Sequence, residues 1–185
     1  MRIAPAQQQH AEGLATLHVQ AWQAAYAGIL SPGFLAGLSV EARAERWQAV
    51  LQAAESSTWV ARLTDETSEP GPGAASDLAG FVSFAHCRDA GAPADQGEIW
   101  ALYAAPAAWG KGVGRALLRR AVDELMARGF RSVSLWVFSD NWRARRFYER
   151  CGFQRVVGSE KRFELGGREV EEVALWAPVS ALSCR

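Results

Sequence analysis

The chain has 185 residues and a formal net charge of zero, because 20 Lys and Arg residues balance 20 Asp and Glu residues. This length predicts a single domain over residues 1–185, with residues 177–185 as a C-terminal tail. The lack of a basic excess argues against binding to nucleic acid or to an anionic membrane surface. No apolar run approaches the roughly 20 residues that a membrane-spanning helix needs.

The cysteine pattern indicates a reducing compartment. Cys87, Cys151 and Cys184 form an odd set without a CxxC pair. Neither a disulfide framework nor a cysteine-based zinc site is expected, and no other metal site is predicted. The first five residues lack the apolar core of a signal peptide, so we expect a cytoplasmic protein.

The first half of the chain predicts helices followed by an antiparallel hairpin. Apolar residues at three- and four-residue steps predict a helix over 10–26, Ser31 can cap a short turn, and Ser39 begins another helix. β-Branched and aromatic residues predict two strands that pair across a Pro- and Gly-rich loop. The two strands and the loop occupy residues 58–63, 80–86 and 64–77.

The second half alternates strands and helices, which requires parallel pairing in the middle of the sheet. The nearly all-apolar segment 132–138 is typical of a strand covered on both faces. Together, the two halves predict a mixed α/β sheet with antiparallel hairpins on either side. The expected strands are 98–104, 132–138 and 153–157, the helices are 113–125 and 141–150, and a hairpin with a two-Gly turn spans 161–176.

Three alternating glycines, Gly110, Gly112 and Gly114, lie between a predicted strand and a long predicted helix. Glycine lets the backbone approach a ligand closely, and free N–H groups at a helix start bind anions. Lys111 and Arg115 add positive charge, so a phosphate or pyrophosphate is the expected ligand. The spacing fits neither a P-loop nor a Rossmann fingerprint. A glycine-rich helix entry without a ligand is the alternative, although it would weaken the helix start without any packing gain.

A second informative segment spans residues 141–153. Helical spacing places Asn141, Arg145 and Tyr148 on one partly polar face. Taken alone, this segment favours a helix-capping Asn and a Tyr with a satisfied hydroxyl. An RNA-binding role for its arginines and aromatic residues is a weaker alternative, because the chain carries no net positive charge.

Together, the two segments resemble the GNAT (GCN5-related N-acetyltransferase) superfamily. Its [Q/R]-x-x-G-x-[G/A] pattern is similar to the stretch from Trp109 to Gly114, and its N-x-x-A-x-x-F-Y-x-x-x-G-F pattern is matched from Asn141 to Phe153. Trp109 stands where the family usually has Arg or Gln. The order of elements agrees from about Ile3 to Trp176.

The resemblance implies a centrally splayed β-sheet flanked by helices, with a cleft for acetyl-CoA between strands 98–104 and 132–138. In this arrangement the pantetheine arm pairs with strand backbone and the pyrophosphate lies on the glycine-loop amides. The implied cofactor contacts are Leu102, Tyr103, Ala104, Trp109, Gly110, Lys111, Gly112, Val113, Gly114, Arg115, Asn141, Arg145 and Phe147.

The resemblance also implies direct transfer of an acetyl group from sulfur to a primary amine of a small molecule or peptide. Tyr148 suits the role of proton donor to the departing thiolate, and Glu98 is the expected base, acting through water. The backbone N–H of Ala104 is expected to stabilise the oxyanion. Trp22 and Tyr26 are expected to wall the acceptor site, with one of them in the core.

Two other functions stay open at this stage. A non-catalytic acyl-CoA-binding or sensor domain would keep the cofactor cleft, but it would not need a donor such as Tyr148 beside the sulfur. A structural interaction module would carry a vestigial glycine loop, which the intact glycine spacing argues against. A surface Trp such as Trp142 is a candidate contact in a homodimer.

Overall fold

One mixed sheet organises the residues that the computed structural model describes, which are 1–53, 55–63 and 77–182. The strands are β1 Arg2–Pro5, β2 Ser57–Arg62, β3 Leu78–His86, β4 Gln96–Ala104, β5 Ser132–Phe138, β6 Gln154–Arg155, β7 Lys161–Leu165 and β8 Arg168–Pro178. The helices are α1 Ala11–Ala25, α2 Pro32–Ala36, α3 Val40–Ala53, α4 Val113–Ala127 and α5 Trp142–Arg150.

The sheet runs in the order β1-β2-β3-β4-β5-β8-β6, and β7 pairs with the other end of β8. Among the strands of the described residues, only β4 and β5 pair in parallel, from Gln96 to Glu98 against Ser132 to Ser134. Beyond these positions neither strand has a partner on the facing side, so the sheet splays open at its centre. The predicted mixed sheet with a central splay is confirmed.

Two layers of helices cover the sheet. On one face, α1 and α3 bury Leu14 and Trp47 against Phe81 of β3. On the other face, α4 buries Leu117 and Leu125 at helical spacing, and α5 contributes to the same apolar cluster. Strand β5 lies between the layers, which explains its nearly continuous apolar sequence.

The structure extends the predicted elements at both ends of the chain. The N-terminal residues form the edge strand β1, which the sequence analysis did not predict. Strand β8 continues to Pro178, and Ala177 and Val179 are buried in the core. Residues 177–182 are therefore part of the fold rather than a tail. The antiparallel pairing of β2 with β3 is confirmed, whereas positions 64–76 of the predicted loop lie outside the described residues.

A partly buried histidine, His18, makes part of the stability depend on pH. The His18 ring lies 4.8 Å from the Tyr103 ring and 5.3 Å from the Phe81 ring, measured between centroids. Burial, with a smaller contribution from Arg43, lowers the pKa of His18 from 6.5 to about 3. Folded His18 thus stays neutral at pH values where the unfolded chain binds a proton, and stability falls as the pH drops below 6.5.

We expect His18→Phe to reduce this acid sensitivity. Between about pH 7.5 and about pH 5, the wild type should lose about 2 kcal/mol more free energy of unfolding than the variant. Urea denaturation at each pH measures the difference. His86→Gln, at an exposed position on β3, is the control and should follow the wild type. Parallel pH curves for the wild type and His18→Phe would show that His18 does not titrate as inferred.

Candidate active site

The cleft begins where β4 and β5 separate, and it has a volume of about 1030 Å³. This volume lies at the upper end of the range for pockets that bind small molecules and cofactors. Residues at the start of α4 and along α5 line one side, and residues of α1, β7 and β8 line the other. Two ligands can therefore meet at the centre of the sheet from opposite faces.

The first turn of α4 presents a set of backbone N–H groups without acceptors. Within the described residues, the amides of Gly112, Val113, Gly114 and Arg115 donate no hydrogen bond, and the Ala116 amide makes the first one, to the Gly112 carbonyl at 3.0 Å. The positive end of the helix dipole lies at the same place. Free amides at a helix start suit an anion such as a phosphate, which is the ligand that the sequence predicts here.

Glycine is required in this loop for its backbone conformation. Gly110 and Gly112 have φ values of 76° and 80°, in the left-handed region that favours glycine. A Cβ on either residue would meet no atom within 4 Å, so the space in front of the amides is open to a ligand. Gly114 differs, because a Cβ there would lie 3.6 Å from the ring of Phe147. Phe147 therefore packs against the start of α4 and supports it.

Trp109 links three segments of the chain, and it occupies the position where the family that the sequence resembles usually has Arg or Gln. Its indole Nε1 donates a hydrogen bond to the Ala104 carbonyl at 3.0 Å. The guanidinium of Arg143, on α5, lies 3.6 Å above the centre of the Trp109 ring. Trp109 thus joins β4, the glycine loop and α5. Arg143 was not among the residues predicted for the site, because its contact with Trp109 depends on the approach of two distant segments.

The backbone of β4 offers fewer free groups than the sequence analysis expects. The amide of Ala105 bonds to the carbonyl of Ala79 at 2.9 Å, so by strand alternation the backbone groups of Tyr103 also face β3. Those of Leu102 and Ala104 face the cleft. The geometry therefore does not support the predicted contact between the Tyr103 backbone and the cofactor. The Ala104 carbonyl is already used, because it accepts the hydrogen bond from Trp109. Both groups of Leu102 and the N–H of Ala104 remain available.

A β-bulge lies on β4 just beyond the last residue that pairs with β5. Ser83 of β3 pairs with Ala101, whereas the next residue, Phe84, pairs with Ile99. Trp100 is the extra residue, and its indole Nε1 donates to the His86 carbonyl at 3.2 Å. Bulges bend a strand and re-aim its side chains, which fits a bulge at the point where the cleft opens.

Helix α5 places only part of its predicted face in the cleft. Asn141 lines the cleft and caps the helix, because its Oδ1 accepts a hydrogen bond from the Ala144 amide at 3.1 Å. Arg145 instead donates to the Ser139 carbonyl at 2.9 Å and does not line the cleft. Lys111 also lies outside the lining. The predicted cofactor contacts of the Arg145 and Lys111 side chains are thus not supported by the geometry.

Tyr148 is buried on α5 and lines the cleft. Its hydroxyl has no hydrogen-bond partner in the described part of the chain, so the alternative of a satisfied Tyr does not hold. Burial, followed by the charges that Tyr103 and Cys151 can carry, raises the pKa of Tyr148 above its ordinary value of 10.0. The phenol therefore stays protonated at neutral pH and can act as a donor.

Glu98, the predicted base, lies at the vertex of the cleft and is not free. One carboxylate oxygen accepts hydrogen bonds from the backbone N–H of Arg88 at 2.9 Å and from its Nε at 3.3 Å, and the other oxygen accepts from its Nη2. The Glu98 side chain is 2% exposed. The geometry does not support the base role, because Glu98 would have to give up this ion pair before taking a proton.

Trp22 and Tyr26 both line the cleft from α1. Tyr26 is the core member of the pair: it is buried, and its hydroxyl lies 2.8 Å from that of Tyr103. Its ring also packs edge-on against Phe138, at 4.9 Å between centroids. Trp22 is less buried than Tyr26 and forms part of the cleft wall.

Among the described residues, none of the helices has the length and apolar character needed to cross a membrane. The same part of the chain contains no group of three or more His, Cys, Asp and Glu side chains that could hold a metal ion.

Comparison with known proteins places the chain in a family. A sequence model of the Acetyltransferase (GNAT) family matches residues 17–153. The uncharacterized N-acetyltransferase YuaI of Bacillus subtilis is 30% identical over 170 residues, which cover 91% of this chain and 88% of that protein. The chain belongs to the GNAT family of acetyltransferases. The resemblance drawn from the two sequence motifs is confirmed.

A second curated relative of this acetyltransferase matches over a shorter stretch. Mycothiol acetyltransferase of Beutenbergia cavernae is 51% identical over 61 residues, which are 33% of this chain and 20% of that protein. A match of this extent supports the family but does not transfer a substrate.

Solved structures share the GNAT fold. The PaiA N-acetyltransferase of Thermoplasma acidophilum, in complex with coenzyme A, has a TM-score of 0.67 at 19% identity, covering 96% of this chain and 99% of that chain. The yncA acetyltransferase of Salmonella typhimurium, with acetyl-CoA, also has a TM-score of 0.67 at 19% identity, covering 97% and 94%. At this level of identity the agreement concerns the fold.

The cleft fits the acyl donor of a GNAT acetyltransferase. The free amides of the first turn of α4 suit its pyrophosphate, and the unpaired edge of β4 suits the amide-bearing pantetheine arm, which can add to the edge like a strand.

We expect Gly112→Ala to weaken coenzyme A binding by at least about tenfold, because left-handed backbone strains an alanine and its methyl group enters the space before the amides. Isothermal calorimetry with coenzyme A measures the loss. Gly158→Ala is a matched control, since Gly158 has a φ of 77° and is equally open but does not line the cleft. Equal affinity in both variants would contradict the assignment of the anion site.

Proposed function

We propose that this GNAT acetyltransferase transfers the acetyl group of acetyl-CoA directly to a primary amine of a small-molecule or peptide acceptor. The observation that carries the proposal is Tyr148, a buried residue that lines the same cleft as the free amides at the start of α4 and whose hydroxyl has no partner among the described side chains. A domain that only binds acyl-CoA has no need of a proton donor at this position.

Three parts of the chain hold the donor in this proposal. The amides of Gly112 to Arg115 bind the pyrophosphate, and Trp109 fixes the loop that precedes them. The backbone of Leu102 pairs with the pantetheine arm, and Asn141 can offer its Nδ2 to the same arm because only its Oδ1 is used in capping. When bound, acetyl-CoA supplies an activated acetyl carbon that an amine can attack.

The proton transfers follow from the positions of the side chains. The backbone N–H of Ala104 faces the cleft and donates to the acyl oxygen as negative charge develops on it. The acceptor attacks as the free amine, after any ammonium proton has passed to water in the open cleft. Tyr148 donates its proton to the sulfur as the carbon–sulfur bond breaks and the carbon–nitrogen bond forms, and the proton that the nitrogen then loses restores the Tyr148 phenol through water. Glu98 takes no part in this scheme, because its carboxylate is bonded to Arg88 at the vertex.

We expect Tyr148→Phe to lower kcat by about 100-fold or more at neutral pH, since a positioned general acid contributes at least this much. A thiol-release assay with acetyl-CoA and an accepted amine measures kcat, and calorimetry should show an unchanged affinity for coenzyme A. Unchanged turnover would remove Tyr148 from the mechanism.

The pH profile of kcat gives a second check on Tyr148. Because its pKa is raised above 10.0, the wild type should show no alkaline loss of kcat below about pH 10. A fall of kcat with an apparent pKa near about 8 or 9, absent from Tyr148→Phe, would show that the phenol ionises earlier than the structure implies.

A further inference from the structure

The side of the cleft opposite the glycine loop forms a chamber rich in aromatic rings. It lies between α1 and the face of the sheet that carries alternate residues of β5, β7 and β8. Its rings contact one another: the Phe138 centroid is 4.9 Å from that of Tyr26 and 6.4 Å from that of Phe163. We call this space the acceptor chamber, and its aromatic lining consists of Trp22, Tyr26, Trp136, Phe138 and Phe163.

Two of the three carboxylates that line the cleft on this side are already paired with cations. Glu98 is bonded to Arg88, as described above. Asp89 accepts hydrogen bonds from Lys161 at 3.1 Å and from the indole Nε1 of Trp136 at 3.0 Å. Lys161 also lies 3.4 Å above the centre of the Trp136 ring, so its position is fixed by two partners.

The third carboxylate, Glu172 of β8, has no such partner. It stands opposite Phe138 on β5 and opposite Lys161 on β7, on the same face of the sheet. In the described part of the chain, its carboxylate makes neither a hydrogen bond nor a salt bridge, because Lys161 is drawn toward Asp89. Glu172 is half-buried and lines the cleft.

The surroundings of Glu172 favour an incoming cation. Burial raises the pKa of Glu172, and the charge of Lys161 offsets this effect only in part. The facing groups from the other elements are the phenols of Tyr26 and Tyr103, which provide no positive charge. A half-buried carboxylate without a partner gains most from a ligand that carries its own positive charge.

From this arrangement we propose that Glu172 binds the ammonium group of the acceptor, and that the acceptor is a primary amine on an aromatic or other flat apolar body without a carboxylate beside the amine. The inference rests on the proposed function, since it places the amine in the same cleft as the acetyl donor. The rings of Trp136, Phe138 and Phe163 cover the body of the acceptor, and cation–π contact adds to the attraction for the ammonium group.

The charges of the acceptor chamber explain why a neighbouring carboxylate is disfavoured. Arg88 and Lys161 are each paired with a carboxylate, so Glu172 is the unpaired charge among the described side chains that line this side of the cleft. The guanidinium of Arg43 lies outside this lining, 5.0 Å from the centre of the Trp22 ring. An amino acid would bring its own carboxylate toward this charge. A linear diamine would satisfy Glu172 but would leave the aromatic rings without an apolar partner and its second ammonium group without a counterion.

The test uses three probe amines and two variants of the full chain. The probes are 2-phenylethylamine, phenylalanine and 1,4-diaminobutane, and the variants are Glu172→Gln and Glu169→Gln. Glu169 is an exposed residue of the same strand that does not line the cleft, so its variant removes an equal charge at a position outside the cleft. Thiol release from acetyl-CoA gives kcat and KM, and calorimetry gives the affinity for 2-phenylethylamine in the presence of coenzyme A.

We expect the wild type to use 2-phenylethylamine with a KM at least tenfold lower than for either other probe. Glu172→Gln should raise this KM and weaken the calorimetric affinity by at least tenfold, with a smaller change in kcat and unchanged affinity for coenzyme A. Glu169→Gln should behave as the wild type.

Other outcomes separate the two proposals. A preference for phenylalanine or 1,4-diaminobutane would overturn the acceptor class, and equal behaviour of the two variants would overturn the role of Glu172. If the wild type does not bind coenzyme A, or binds it without acetyl transfer to any of the amines, the proposed function would instead be overturned.

Discussion

The separation of two parallel strands is the constraint on which the rest of the structure depends. β4 and β5 share hydrogen bonds only as far as Glu98 and Ser134, and beyond them two strand edges face an open space. Unpaired backbone in a protein interior is costly unless a ligand or side chain satisfies it. Trp109 satisfies one carbonyl of β4, and the remaining free groups define where an amide-bearing ligand can bind.

Much of this fold and part of the site could be predicted from sequence, because both depend on local patterns. The apolar residues of α4 recur with helical period. The glycines from Gly110 to Gly114 mark the start of this helix, where the backbone adopts positive φ values that favour glycine. Helical spacing also placed Tyr148 on the partly polar face of α5, whereas its role as a proton donor came from the family resemblance. The family pattern added the order of the strands and the central splay, which residue periodicity alone does not define.

What could not be predicted depends on contacts between distant segments. The pairing of Arg88 with Glu98 removes the expected base, and no local pattern indicates it. Arg145 bonds to the Ser139 carbonyl, whereas Arg143 stacks on Trp109, which precedes α4, and helical spacing alone indicates neither contact. Glu172 was missed for the same reason: in the sequence it is one of several glutamates on a strand, and only the position of Lys161 shows that it is unpaired.

The contact between Arg143 and Trp109 has a consequence for the timing of assembly. The stack of Arg143 on Trp109 joins the segment before α4 to α5 through protein groups alone. In the proposed mechanism these two elements hold the diphosphate and carry the phenol, so a contact made before the donor arrives would reduce the chain entropy lost on docking.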